Sequence, residues 1–168
     1  RDRIMRQDGA PLAPRQRPRA VTTETAAQRL SLSTPASDLA VRDVLARIRS
    51  WLHASALTDE DRGTVEIVLA EALNNIVEHA YPADDPGEIR LDLALDQARL
   101  VCVLSDHGTA LPGLRPPDGT LPAHDVARDA LPEGGFGWFL IRDLADRIDY
   151  RRAAGWNHLS LELRHSRL

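Results

Sequence analysis

Three polar residues at four-residue steps, Glu71, Asn75 and His79, stand inside the run VEIVLAEALNNIVEHAY from Val65 to Tyr81. A four-residue step is close to one helical turn, so the three side chains fall in file, ~6 Å apart along the axis. In the same run Val65, Val68, Leu69, Ala72, Leu73, Ile76 and Ala80 recur at the helical period, which predicts one apolar face packed on a sheet. The polar file therefore follows the margin of a buried seam, where every group needs a partner. A carboxylate, a carboxamide and an imidazole so placed can accept a proton and serve a phosphate-bound cation. An ordinary i,i+4 pair ended by a capping histidine has the same pattern, and on this helix alone the two readings stand equal.

Two stretches downstream bear on that choice. The segment EIRLDLALD alternates, with Ile89, Leu91, Leu93 and Leu95 on one face, as a half-buried antiparallel strand does. The next, RLVCVLS, is apolar on both sides and so more central, and it ends abruptly at Ser105-Asp106-His107-Gly108. Polarity at the end of a central strand is a place for ligand contacts. Further on, Gly134-Gly135-Phe136-Gly137 opens into the amphipathic run WFLIRDLADRI. Several backbone N–H groups then point out of a helix N-terminus, a ready site for phosphate. Taken alone the glycines can equally form a hinge, and without a preceding strand they do not match the dinucleotide fingerprint. Between them and the central strand, Thr109 to Glu133 is proline-rich and aperiodic, too long for a simple connector, and is expected to be a lid.

The remaining elements serve to position these. Residues 1–28, with Pro11, Pro14 and Pro18 among arginines, are expected to be a disordered basic tail or a linker from a larger protein; the domain occupies 29–168. RLSLS predicts a short strand, and Thr34 before Pro35 predicts the start of a helix reaching about Ala54, with Val41, Val44, Leu45, Ile48 and Leu52 inward. His53 near its end is assigned a surface role. Thr58 is expected to cap the second helix, with Asp59, Glu60 and Asp61 in its first turn, and Pro82 to Gly87 to break it. Two strands, about Asp146 to Arg152 and Trp156 to Arg164, close the chain.

Composition excludes several classes. A chain of 168 residues, 43% hydrophobic, has the makings of one core. Its net charge of -4 argues against a direct nucleic-acid binder, despite the arginines of the first twenty residues. No apolar run approaches the ~20 residues of a membrane span and no signal peptide is visible, so a cytoplasmic location is expected. The single cysteine, Cys102, lies in an apolar strand and reads as an inert buried thiol. Lysine is absent throughout, which excludes a Walker A loop, a Schiff base and a lysine general base. Any nucleotide must be held in another way.

EALNNIVEHAY, SDHGTALP and EGGFGWFLIRDLAD, in this order and spacing, resemble the ATP-binding fold of gyrase and histidine kinases, the GHKL superfamily. The similarity is nearest to the RsbW-type anti-sigma factor serine/threonine kinases and runs from about Leu30 to Leu163. It implies an α+β fold, the two-layer α/β sandwich known as the Bergerat fold, with a mostly antiparallel sheet and helices on one face. It also implies ATP and Mg2+ as cofactors, and phosphorylation of a serine on an anti-anti-sigma (STAS-type) antagonist in a partner-switching pathway. By that resemblance Glu71 is the general base, Asn75 the Mg2+ ligand and Asp106 the adenine contact. Gly108, Gly134, Gly135 and Gly137 are backbone elements around nucleotide and lid, and His79 either touches phosphate or ends the helix. Elementary chemistry agrees: Mg2+ takes hard oxygen ligands and keeps waters, and a carboxylate accepts a hydrogen bond from the exocyclic amine of adenine but faces a carbonyl in guanine.

The chain departs from the family pattern at Trp138, where leucine is more usual, and in having no lysine in the lid. Two alternatives come with the resemblance: a nucleotide-dependent regulatory module without kinase activity, and the catalytic fragment of a histidine kinase, for which the chain shows no phosphoacceptor hairpin. The expected partners are the antagonist and a sigma factor or similar regulator, with a second copy of the chain as a homodimer. They are expected to use the outward face of the first helix, where Asp38, Arg42 and Arg49 lie off the apolar stripe.

Overall fold

The computed structural model describes residues 27–82, 84–119 and 135–165. Among the described residues the element order is β1 (Gln28–Pro35), α1 (Asp38–His53), α2 (Asp59–His79), β2 (Glu88–Leu95), β3 (Arg99–Asp106), α3 (Gly135–Leu144), β4 (Arg147–Ala153) and β5 (Trp156–Arg164), with a 3₁₀ turn at Pro112–Leu114. The strands form one sheet in the order β1-β2-β3-β5-β4, antiparallel at each pairing. This is the α+β sandwich expected from the sequence. The basic tail lies outside the described residues up to position 26.

Period-2 patterning decides the face on which the core forms. Ile89, Leu91, Leu93 and Leu95 are buried along β2, as are Leu100, Cys102 and Leu104 along β3 and Leu159, Leu161 and Leu163 along β5. Their neighbours Arg90, Asp92 and Arg164 point to the other side and are exposed. Strand β3 takes the central place, and its outward valines, Val101 and Val103, are half-buried. Cys102 is wholly buried, and burial pushes its thiol up to about 12, an inert group.

On the core face, α2 packs between α1 and α3. Its start is chemically marked: the Thr58 hydroxyl accepts the Asp61 N–H at 3.0 Å, and Asp59, Glu60 and Asp61 meet the positive end of the dipole. The apolar stripe closes completely, from Val65 at 3% exposure to Ala80 at 8%. Truncating its centre, as in Leu69→Ala, costs ~2–5 kcal/mol through lost transfer energy and the cavity left behind. Helix α2 thus has a fixed rotation about its axis, and so has the polar file along its margin.

One expected boundary is wrong. Thr34 and Pro35 do not open α1; they end β1, pairing with Ile89 and Glu88, and the helix begins at Asp38 after Ser37. The reason is the edge position of β1. A strand paired on one side tolerates a residue that lacks an N–H, and the chain then continues the ladder with Ala36 N–H donating to the Gly87 carbonyl at 2.7 Å.

Candidate active site

A cavity of ≈ 470 Å³ lies between the C-terminal half of α2, the ends of β3 and β5, the segment after β3, and α3. That volume is in the range of small-molecule sites. Asn75, His79 and Asp106 line it, as does Trp138 from α3.

At one end the polar groups are fully engaged. Asp106 and Asn157 face each other across the β3–β5 ladder and are 4% and 3% exposed. Asp106 Oδ1 accepts from Gly108 N–H and from Asn157 Nδ2, each at 2.8 Å. The same Nδ2 reaches the carbonyls of Gly108 and Thr109, both at 3.2 Å. Asn157 Oδ1 accepts from the Tyr150 hydroxyl at 2.7 Å and from Arg152 Nη1 at 2.5 Å. With both described donors on Oδ1, the carboxyl group of Asp106 is held in one orientation on the cavity wall. Gly108 is required by packing: a Cβ there would lie 2.4 Å from the Ala80 carbonyl oxygen, so the close approach it permits is to the end of α2. Thr109 N–H secures that contact by donating to Ala80 O at 2.7 Å.

At the other end the groups are underused. Asn75 is half-buried, yet its Nδ2 is buried and has no hydrogen-bond partner among the described residues. Glu71 sits one turn back, under the start of α3: a Cβ on Gly137 would come within 2.6 Å of Glu71 Oε2, and Asn75 Nδ2 would be 3.6 Å away. Glycine is what lets α3 begin so close to the two side chains. Burial pushes the Glu71 carboxyl above its ordinary value, and the negative charge of Glu78 adds to the shift. His79 is exposed and its Nε2 lies 3.7 Å from Glu78 Oε2. Gly135 is the first described residue of α3; Gly134 lies outside the described residues.

The residues singled out on three separate stretches are therefore brought to one place. Helix α2 supplies Glu71, Asn75 and His79, β3 supplies Asp106, and the glycine turn approaches the first two. Of the expected lid, Thr109 to Gly119 is described and the rest lies outside the described residues; Leu111, Pro112 and Pro117 line the cavity. Sequence reasoning missed Asn157, Tyr150 and Arg152. A signal for Asn157 was present: it shares parity with Leu159, Leu161 and Leu163, so it is an amide in an inward row of leucines. Nothing local marks Tyr150 or Arg152.

Residues 34–163 match the histidine kinase-like ATPase domain family. The chain belongs to that family. It lies on the RsbW branch: it is 34% identical over 115 residues to the serine/threonine-protein kinase BtrW of Bordetella bronchiseptica, an alignment covering 66% of this chain and 79% of that one. It is also 30% identical over 132 residues to the serine-protein kinase RsbW of Halalkalibacterium halodurans, covering 75% and 77%. Among solved structures, the RsbU and RsbW domains of Rv1364c from Mycobacterium tuberculosis share the fold at a TM-score of 0.59 and 22% identity, over 84% of this chain and 33% of that one. No helix among the described residues is long and apolar enough to cross a membrane.

Proposed function

We propose that this chain is an ATP-binding serine-protein kinase and anti-sigma factor that phosphorylates a STAS-type anti-anti-sigma antagonist in a partner-switching circuit. The observation that best supports it is one cavity with a held carboxyl group at one end and, at the other, an amide nitrogen that has no partner among the described residues, near a carboxyl of raised pKa.

Asp106 accepts the adenine amine, and α3, starting at Gly135 and Gly137, offers N–H groups to phosphate. Glu71 takes the proton from the attacking serine hydroxyl. The serine oxygen bonds to the terminal phosphorus, the bond from that phosphorus to the bridging oxygen breaks, and ADP leaves with the electron pair. A carboxyl whose pKa is raised by burial is, once ionised, a stronger base than an ordinary one. Asn75 fits a magnesium site, since its carboxamide can turn its oxygen toward a ligand and Mg2+ needs few protein ligands when phosphates and water complete its shell. The ion, when bound, neutralises charge on the phosphates. His79, exposed and on the cavity lining, meets a phosphate oxygen in this reading, the alternative being that it only ends α2.

The protein works in the cytoplasm as a homodimer, and the antagonist and a sigma factor compete for the outward face of α1 around Arg42, which is exposed. Incubation with labelled ATP, Mg2+ and the protein products of neighbouring genes tests the activity: one of them should acquire phosphoserine. Binding of ATP without transfer to any of them would leave a nucleotide-dependent sequestering module. Arg42→Ala should weaken binding of either partner with ATP affinity unchanged, and equal affinity for both would place the interface elsewhere.

A further inference from the structure

The segment from Leu111 to Gly119 forms part of the cavity wall, yet it has little to hold itself in place. Pro112, Pro116 and Pro117 donate no N–H. Leu114 is 58% exposed and adopts a φ of 54°, a conformation uncommon for a residue with a side chain, so it adds no burial and carries strain. The segment is held instead by what lies against it. Leu111 N–H donates to the Tyr150 hydroxyl at 3.1 Å. Arg142, on the exposed side of α3, donates from Nε to the Pro117 carbonyl at 2.5 Å and from Nη2 to the Pro116 carbonyl at 2.9 Å. Gly119, at φ +65°, then lies so close to α3 that a Cβ would be 2.8 Å from the Phe139 nitrogen.

We propose that Arg142 is a positioning residue that straps this segment across the cavity and thereby sets the rate at which nucleotide leaves. The inference rests on the ATP-binding reading above. The rings fix φ at both prolines and Pro117 restricts ψ at Pro116, which narrows the relative orientations of the two carbonyls, and a planar guanidinium fork can take both where an ammonium offers one point charge. Of the attachments, the one through Tyr150 is tied into the Asp106–Asn157 end and the one at Gly119 is steric. Arg142 is the polar bolt on the outer side, one residue away from the buried Ile141 and free of the core.

The test is stopped-flow displacement of a fluorescent ADP analogue from the wild-type chain, Arg142→Ala, Arg142→Lys, Gly119→Ala and the Arg142→Ala/Gly119→Ala double variant, with thermal melts of each without nucleotide. Arg142→Ala should raise the dissociation rate about tenfold, the scale of one charge-assisted hydrogen bond, with the ligand-free melt unmoved. Arg142→Lys should recover part of the difference. Gly119→Ala, which forces the strap off α3 by another route, should match Arg142→Ala, and the double variant should add little, because both release the same strap. An unchanged dissociation rate in Arg142→Ala, or full additivity in the double variant, overturns the proposal with ATP binding intact. A wild-type chain that does not bind the analogue removes the ATP-binding reading itself.

Discussion

Two asparagines line the same cavity and live in opposite circumstances. Asn157 is buried with both ends of its amide engaged, by Asp106, Gly108 and Thr109 on the nitrogen and by Tyr150 and Arg152 on the oxygen. Asn75 presents a buried Nδ2 with no partner among the described residues. A buried polar group left unpaired costs ~1–3 kcal/mol, and in the function proposed above it is a ligand that completes this amide and the raised-pKa carboxyl beside it. The Asp106 end of the cavity is thus organised by the protein itself, whereas the Asn75 end, the phosphate end in the proposed function, is left to be completed by what binds. In that proposal recognition of the base is rigid, since adenine does not change during the reaction. In the same proposal the phosphate end accommodates a moving group, and Glu71 and Asn75 are placed there without being locked.

The largest effect should come from the end that does chemistry. Glu71→Gln keeps size and hydrogen bonding but removes the base, so phosphotransfer should fall by ~10²–10⁴ while ATP still binds, read as a loss in kcat with little change in nucleotide affinity. Transfer at the wild-type rate would remove Glu71 from the reaction.

Next in size is Asp106→Asn. The new amide can still accept from Gly108 and Asn157 through its oxygen, but its NH2 then faces the amine of adenine, donor against donor. ATP affinity should drop about a hundredfold by calorimetry, the scale of a charged hydrogen bond replaced by a repulsive contact. Equal affinity would mean that the base lies elsewhere in the cavity.

The two asparagines themselves give the sharpest contrast. Asn157→Ala strips partners from Asp106, Tyr150 and Arg152 in a buried site and should lower unfolding free energy by ~1–3 kcal/mol in urea titrations. Asn75→Ala removes an unsatisfied group, so its stability should match wild type or exceed it, while Mg2+-dependent ATP affinity drops about tenfold. Similar stability losses in both variants would erase the distinction between the two ends.

The smallest effect is on the pH dependence. Glu71 has a folded pKa raised above 4.5 by burial and by Glu78. Below 4.5 it is protonated in both folded and unfolded states and contributes nothing; as pH rises through its folded value, ionisation is disfavoured in the folded state and stability is lost. Melts of wild type and Glu71→Gln should therefore coincide in acid and separate toward neutral pH, with the glutamine variant slightly the more stable. On the kinetic side, the acid limb of kcat/KM, which reports the free enzyme, should have its midpoint above 4.5, because the base must be ionised. A variant less stable than wild type at neutral pH would contradict the direction of the shift.

Much of this site is legible along the chain because its parts are periodic. The step from Glu71 to Asn75 to His79 is a helical turn whatever the helix packs against, and the leucines of β2 and β5 alternate because a strand has period 2. The Thr34-Pro35 boundary was not legible, since a proline is as acceptable at the end of an edge strand as at the start of a helix, and only the neighbouring strand decides between them. Gly108 shows the same limit at the site. A glycine after a polar strand end announces that something comes close, but that this is the carbonyl of Ala80 depends on where α2 ends in space.

From sequence alone follow the helix with its polar file, the antiparallel strands with one buried face, the order of the three motifs, and the exclusion of lysine chemistry. Each depends on geometry repeated residue by residue. Tertiary structure alone decided that Asp106 is held by Asn157, 51 positions away, that Gly137 gives Glu71 and Asn75 their room, and that Arg142 reaches Pro116 and Pro117. Those contacts join segments whose separation is set by sheet register and helix packing, and no local periodicity of the chain encodes the partner a buried polar atom will meet.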